Sequence, residues 1–314
     1  MTKVGIGLPG LSISEARHSA AVAVGYNFDS FSVYGDLGDL PPYAVLHSVA
    51  DILKGAVRSR GIPNVGPMGV PAGMQHPEVI AQHARALEEQ LPGQSYIGLV
   101  RGAFLDAIGE KPATLAQLEE TVEQVRERSE NVPVYIGGFG KQLLQLAGKL
   151  NVSGVKLGGT TNAELAKKAR GTIGNPDVNI VLGAVSVIDS DRKAARALAR
   201  REVAKYLVVV GHLDSTLDSD DLESLTRFES LLRAGNPGAH QEISDSLLDK
   251  FAIAGTPGDA EVMLESMDGN VDRFEFGTPH GLNDRVTGIT TIGESLAGKR
   301  PKVQYVRGVP QFHS

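Results

Sequence analysis

Short apolar runs alternate with amphipathic stretches along the chain. Each run is followed by a turn and then by a stretch whose apolar residues recur at helical spacing, which predicts a strand and then a helix. Seven such strand–helix pairs follow one another: KVGIGLP with SISEARHSAAVAVG, FDSFSVYG with PPYAVLHSVADILKG, IPNVGPMGV with PEVIAQHARALEEQL, SYIGLVRG with ATLAQLEETVEQVRERS, VPVYIGG with the helix after it, VSGVKLGG with TNAELAKKARG, and VNIVLGAVSVI with DSDRKAARALARREVAKYL.

The remaining part of the chain supplies an eighth pair. Residues from about 212 to 252 have a helical pattern without a strand and are predicted to be an insertion; DAEVMLESMDG, VDRFEFG and VTGITTIGESLAG then predict a helix, the last strand and a closing helix. Runs such as VNIVLGAVSVI are apolar almost throughout, as in a parallel sheet covered on both faces. We therefore predict that residues 1–314 form one α/β domain, a (β/α)8 TIM barrel with a helical insertion before the last strand. A doubly wound open sheet is the alternative.

Composition narrows the function classes. The chain has 314 residues, a formal net charge of −6 and no cysteine. The negative charge argues against a nucleic-acid binder, and the lack of cysteine removes disulfides, thiolate metal sites and cysteine nucleophiles. The first residues, MTKVGIGLPG, contain no long apolar segment, so we expect no membrane span and a cytoplasmic protein. No His/Asp/Glu cluster has metal-ligand spacing, so no metal site is predicted.

A glycine-rich corner joins the fifth strand to its helix. The segment VPVYIGGFGKQLLQLAG contains Gly137, Gly138, Phe139 and Gly140 where the strand ends, and Lys141 just inside the helix. Helix N-termini bind phosphate through their N–H groups, and glycine lets a phosphate approach the backbone closely. Lys141 would add a positive charge. Phosphate binding and a simple tight turn or close packing are equally good interpretations of the spacing alone.

The sequence around this corner resembles a known superfamily. PVYIGGFGKQLLQLAGKLNVSGVKLGG is similar to the luciferase-like flavin and deazaflavin oxidoreductases, and more narrowly to the methylenetetrahydromethanopterin reductase branch. GIGLP, GPMGVPAGMQHPEVIAQHARALEEQLPGQSYIGL, RGAFLDAIG, KPATLAQLEETVEQVR, FAIAGTPGDAEVMLESM and FEFGTPHG resemble further parts of that family in the same order. The resemblance thus covers most of the chain.

The resemblance implies a cofactor and the residues that hold it. The cofactor would be coenzyme F420, with FMN as the alternative, and its phosphate end would lie at the corner formed by Gly137, Gly138, Phe139 and Gly140. The family also has a non-proline cis peptide behind the cofactor ring, which implies a cis bond at Gly69–Val70, or within one residue of it, in GPMGVP. Without the resemblance, this segment reads as an ordinary Gly/Pro-rich loop.

Three residues are candidates for the chemistry. Gly35 and Asp36 stand where the family usually has an Asp-His or similar pair, and Asp36 can still serve as a general acid. Arg101 follows the fourth strand, where a small or acidic residue is common, and can bind an anionic substrate group with its planar guanidinium. His280 follows the last strand and can exchange protons near neutral pH. The alternatives are a solvated loop carboxylate, an Arg–Asp pair and a solvated histidine.

These observations lead to one functional prediction. The protein is predicted to be an oxidoreductase that transfers hydride between F420 or a flavin and a small organic substrate, acting as a homodimer or larger homo-oligomer. An FMN-dependent luciferase-like monooxygenase and a non-catalytic cofactor-binding relative are the alternatives. The first strand, VGIGLPG, lacks the acidic residue that reductases near this branch carry there. The scaffold therefore matches the family better than the chemistry does.

Overall fold

The computed structural model describes most of the chain. It covers residues 2–10, 12–36, 38–54, 64–130, 132–282 and 284–296, and the backbone of 303–306 and 309–312. The β-strands in these ranges are β1 (Lys3–Leu8), β2 (Ser30–Val33), β3 (Val65–Pro67), β4 (Val70–Pro71), β5 (Ile97–Val100), β6 (Val134–Gly137), β7 (Gly154–Gly158), β8 (Asn179–Ile188), β9 (Ala252–Gly255), β10 (Arg273–His280), β11 (Val303–Val306) and β12 (Val309–Phe312).

Helices follow most of these strands. They are α1 (Ile13–Gly25), α2 (Pro42–Leu53), α3 (Pro77–Gln90), α4 (Leu115–Arg128), α5 (Lys141–Lys149), α6 (Ala163–Ile173), α7 (Arg192–Val210), α8 (Ser219–Arg233), α9 (Asp245–Phe251), α10 (Pro257–Ser266) and α11 (Arg285–Leu296). Their starts carry the expected signals. Pro77 begins α3, with His76 accepting a hydrogen bond from the N–H of Glu78, and Thr114 and Gln117 form a capping box at α4.

The strands form one parallel sheet that closes on itself. The order is β3-β2-β1-β10-β8-β7-β6-β5-β4, and β9 pairs with the last part of β8. β3 and β4 are successive parts of one barrel strand. The N–H of Tyr96, just before β5, donates to the carbonyl of Val65 in β3 at 3.0 Å, so the two ends of the sheet meet. The prediction of a (β/α)8 TIM barrel with a helical insertion before the last strand is therefore confirmed, and the open sheet is not observed.

The core lies between the barrel and its helices and is mostly aliphatic. On β1, Val4, Ile6 and Leu8 are buried in this core. Gly5 and Gly7 alternate with them and therefore face the barrel interior. A second apolar cluster joins α7, α8, α9 and β9 over the end of β8. The stretch predicted as an insertion thus packs beside one end of the barrel. No helix within the described ranges is both long and apolar enough to cross a bilayer.

Candidate active site

The carboxyl ends of the barrel strands surround a cavity of about 740 Å³. This is the end of a barrel at which enzymes of this fold build their active sites. Most of the lining consists of glycine and apolar side chains. The main polar and charged lining residues are Tyr34, Asp36, Arg101, Lys141, Lys156 and Tyr206. The cavity is within the size range of sites that hold a small molecule or cofactor.

The glycine-rich corner forms one wall of the cavity. Gly137, Gly138, Phe139, Gly140 and Lys141 all line it. Gly138 has φ 146°, a conformation that favours glycine, and its N–H donates to the carbonyl of Lys156 at 3.0 Å. A Cβ on Gly140 would meet nothing within 4 Å. The backbone at Gly140 is therefore open to the cavity, as the phosphate interpretation requires.

The first turn of α5 has no cap of its own. Gly140 is the N-cap residue, and no side chain in the described part of the chain bonds to the N–H groups there. By contrast, the next helix, α6, is capped by Asn162, which accepts from two backbone N–H groups. The uncapped N–H groups and the helix dipole make the start of α5 suited to an anion. Lys141 is exposed at the first position of the helix, where its ammonium adds to that potential.

A non-proline cis peptide is present within the predicted range, one bond before Gly69–Val70. It joins Met68 to Gly69, not Gly69 to Val70. Gly69 lines the cavity, whereas Val70 is buried in the core and is not part of the lining. The prediction of Val70 as a cofactor-contacting residue therefore lacks support from its position. Gly69 is tightly enclosed, since a Cβ there would meet Cγ1 of Val100 at 2.5 Å.

Asp36 reaches the cavity after β2, as predicted. Its carboxyl group is half-buried, and burial together with the nearby Asp39 raises its pKa above the usual value. A hydrogen bond with Tyr206, and the charge of Lys156, act in the opposite direction and partly offset that rise. A carboxyl group with a raised pKa beside a cavity is a candidate proton donor.

Arg101 also lines the cavity, at its exposed rim. Its Nε donates to the carbonyl of Ala113 at 2.5 Å, and the N–H of Ala113 donates back to the Arg101 carbonyl at 2.9 Å. The first bond holds the guanidinium group itself, through Nε, and the second holds the backbone of Arg101. The guanidinium is therefore fixed at the rim, where it can approach an anionic group in the cavity.

His280 is not brought to the cavity. It ends β10, is half-buried and is not part of the lining. Its Nε2 lies 3.9 Å from Oε2 of Glu202 on α7. Burial lowers its pKa, aided by Arg285 and opposed by Glu202. The sequence prediction that His280 joins the catalytic group is therefore not supported by its position.

The cavity floor contains a charged group that the sequence analysis missed. Lys156 on β7 lines the cavity and forms an ion pair with Glu275 on β10, while Arg273 on the same strand lies 3.2 Å from the Glu275 carboxylate. All three are buried. Burial alone would raise the pKa of Glu275, but Lys156 and Arg273 more than offset it and lower that pKa. The signal available in the sequence was a charge inside an otherwise apolar strand, in GVKLG and RFEFG.

Comparison with known proteins indicates the relatives of this chain. No family model matches the chain. It is 23% identical, over 93% of its length and 98% of the relative, to a 5,10-methylenetetrahydromethanopterin reductase of Methanolobus tindarius. The structure of a coenzyme F420 dependent tetrahydromethanopterin reductase from Methanopyrus kandleri superposes with a TM-score of 0.78 at 19% identity, covering 94% of this chain and 98% of that one.

A monooxygenase shares the same fold. The oxygenating constituent of 3,6-diketocamphane monooxygenase from Pseudomonas putida, a type II Baeyer-Villiger monooxygenase in complex with FMN, superposes with a TM-score of 0.62 at 14% identity, covering 95% of this chain and 98% of that one. Of the two solved structures, the reductase is the more similar. The curated reductase supports the predicted resemblance to the luciferase-like flavin and deazaflavin oxidoreductases and a cofactor-dependent oxidoreductase, and the two solved structures show that the fold is shared.

Proposed function

We propose that this luciferase-like oxidoreductase binds coenzyme F420 in the cavity at the barrel mouth and transfers hydride between the cofactor and a small organic substrate. The observation that carries the proposal is the uncapped start of α5, which opens onto a cavity of about 740 Å³. A phosphate-bearing cofactor needs an anion site beside an apolar space for its ring. Both are present in one cavity of this chain.

The residues at the corner fit the phosphate end of such a cofactor. A Cβ would meet nothing within 4 Å at Gly140 or at Gly158, so both backbones can be approached closely. The first N–H groups of α5 would donate to the phosphate, and Lys141 would add an ammonium charge. Gly69, Val100 and Gly137 offer an apolar surface on which a ring can lie.

The protein's own part in the reaction is binding, orientation and proton handling. When bound, the cofactor supplies the hydride chemistry at its ring. Asp36 would hold or donate a proton, which the pKa raised by burial and by Asp39 suits, and the hydrogen bond with Tyr206 would orient its carboxyl group. Arg101 would bind an anionic group of the substrate at the rim. Leu105 and Leu213 also line the cavity and would exclude water from it.

FMN is the second candidate cofactor. It is favoured by the monooxygenase relative, whose structure is a complex with FMN. F420 is preferred because the F420 dependent reductase gives the higher TM-score of the two. A non-catalytic role is not favoured by these relatives. The first substrate to test is methylenetetrahydromethanopterin, which appears in the name of the curated relative.

Titration of the purified protein with F420, FMN and NADPH side by side tests the proposal. We expect one of the two ring cofactors to bind with micromolar or tighter affinity and NADPH to bind weakly. The absence of binding to both F420 and FMN would refute the proposal. A candidate substrate that reduces the oxidised bound cofactor, or that oxidises the reduced bound cofactor, then identifies the reaction.

Three further expectations belong to this proposal. Residues 1–314 act as a single domain with an insertion at about 212–252. The chain is cytoplasmic. It assembles as a homodimer or larger homo-oligomer, which size-exclusion chromatography with light scattering tests directly.

A further inference from the structure

Lys156 forms part of the floor of the cavity. Its side chain is 5% exposed and lines the cavity from β7. The neighbouring strand β8 has Gly183 beside it, where a Cβ would lie 2.9 Å from Cε of Lys156. Any larger residue at position 183 would therefore displace the lysine. The barrel interior is built to accommodate this side chain.

A series of alternating charges lies beneath the lysine. Glu275 pairs with Lys156 on one side and with Arg273 on the other, and the charge of Asp29 acts on Arg273 in turn. Ser32 donates to Oε2 of Glu275 at 2.5 Å and Ser30 to Oε1 at 3.2 Å. Each charge thus has an opposite charge next to it, so the series is held in place along the barrel interior.

The lysine ends this series on the side of the cavity. Among the described residues its hydrogen bond goes to Glu275, and its Nζ lies 4.6 Å from the centre of the Tyr34 ring. An ammonium group has three N–H donors. One N–H donates to Glu275, and the ammonium charge lies over the ring face of Tyr34. A further N–H donor therefore remains for a molecule in the cavity.

We propose that Lys156 donates a hydrogen bond to the electron-rich edge of the bound cofactor ring and stabilises the reduced ring more than the oxidised ring. This inference rests on the proposed function, because it requires the ring cofactor to occupy the cavity. Hydride uptake adds negative charge to the nitrogen and oxygen atoms of the ring, and a charge close to those atoms tunes the ring's electronics. Glu275 and Arg273 are positioning residues that keep the ammonium at the floor.

A purely structural ion pair is the competing explanation. Buried pairs of this kind often contribute little to stability, and replacement by neutral residues is tolerated when both charges are removed. Such a pair would lie away from the ligand. Lys156 instead lines the cavity, and a structural role predicts no difference between the two redox states of a bound cofactor.

The test compares the affinities of oxidised and reduced cofactor. The double variant Lys156→Met/Glu275→Gln removes both charges and leaves Arg273 with Asp29, so the fold should be kept; Lys156→Met alone tests the lysine where that variant folds. The matched control is Lys250→Met/Asp221→Asn, which neutralises an ion pair between α9 and α8; neither residue is part of the cavity lining. Dissociation constants for oxidised and reduced F420 and FMN, and the midpoint potential of the bound cofactor, are measured for each protein.

We expect the double variant to lose at least tenfold more affinity for the reduced cofactor than for the oxidised cofactor. That ratio corresponds to a midpoint potential about 30 mV more negative for a two-electron couple. The control should keep the wild-type ratio. Equal losses for both redox states, or no loss, would overturn the inference while leaving the proposed function intact. Failure of the wild-type protein to bind either cofactor would overturn both.

Discussion

Replacement of Gly140 by valine tests the phosphate site most directly. Gly140 has φ −60° and ψ 137°, a conformation that valine adopts easily, and it precedes α5 with open space around it. We therefore expect Gly140→Val to fold normally, with a change in unfolding free energy within about 0.5 kcal/mol. Gly138→Val is a poorer test of the same site. Its φ of 146° and a contact of 2.9 Å between a Cβ and Leu143 would strain the variant.

The expected loss of affinity follows from the helix start. The valine side chain would occupy the space next to the first N–H groups of α5, where a phosphate oxygen would otherwise accept. A hydrogen bond to a charged group contributes about 1.5–3 kcal/mol. Loss of one such bond therefore weakens binding by at least about tenfold, because each 1.4 kcal/mol is one factor of ten.

The measurement is a fluorescence titration of F420 and FMN with wild type and variant. Riboflavin, which lacks the phosphate, serves as the ligand control and should bind both proteins equally. Gly171→Val on α6 is the matched protein control, since a Cβ there also meets nothing within 4 Å and Gly171 is not part of the cavity lining. An unchanged affinity for F420 and FMN in folded Gly140→Val would refute the phosphate site and leave the glycines a packing role only.

Further predictions concern the polar residues. Asp36→Asn should lower kcat and remove the alkaline limb of the pH–rate profile in the reducing direction, since a donor must be protonated. Because burial raises the pKa of Asp36 in the folded state, Asp36→Asn should be more stable than the wild type at pH 7. In urea unfolding, the difference in unfolding free energy should shrink as pH falls through the folded-state pKa of Asp36. It should vanish below about 3.9, the pKa of an unfolded aspartate. Arg101→Lys should raise KM more than it lowers kcat, because it keeps the charge and loses the planar fork. His280→Gln should change cofactor affinity less than about twofold, far below the tenfold step that 1.4 kcal/mol represents, since His280 lies outside the cavity lining; a larger loss would restore it to the site.

The fold could be predicted because its signals are local. Apolar strand runs, turns and amphipathic helices recur in the order of a barrel, and helix starts such as Pro77 are marked in the sequence. The glycine-rich corner could also be found in the sequence, because three glycines in four residues at a strand–helix junction indicate either a close approach to the backbone or a tight turn. The cis peptide was displaced by one bond, to Met68–Gly69, because the resemblance identifies the segment and not the individual bond. His280 ends β10 outside the cavity lining, because a strand's last residue can face either side of the sheet.

The charged floor could not be predicted because it depends on register between strands that are far apart in the chain. Glu275 is in register with Gly5 of β1 on one side and with Gly183 of β8 on the other. Gly183 leaves the interior space that the Lys156 side chain occupies, and Gly5 leaves the space for Ser30, which donates to Glu275. In the sequence, Gly5 was noted only as the absence of an acidic residue from the first strand. The structure shows a carboxylate in the same layer of the barrel, on the adjacent strand β10, paired with Lys156. The paired lysine lines the cavity and the carboxylate lies beneath it, so this chain presents a cation to the cavity. If the cofactor ring binds there, the sign of that charge sets which redox state of the ring is favoured.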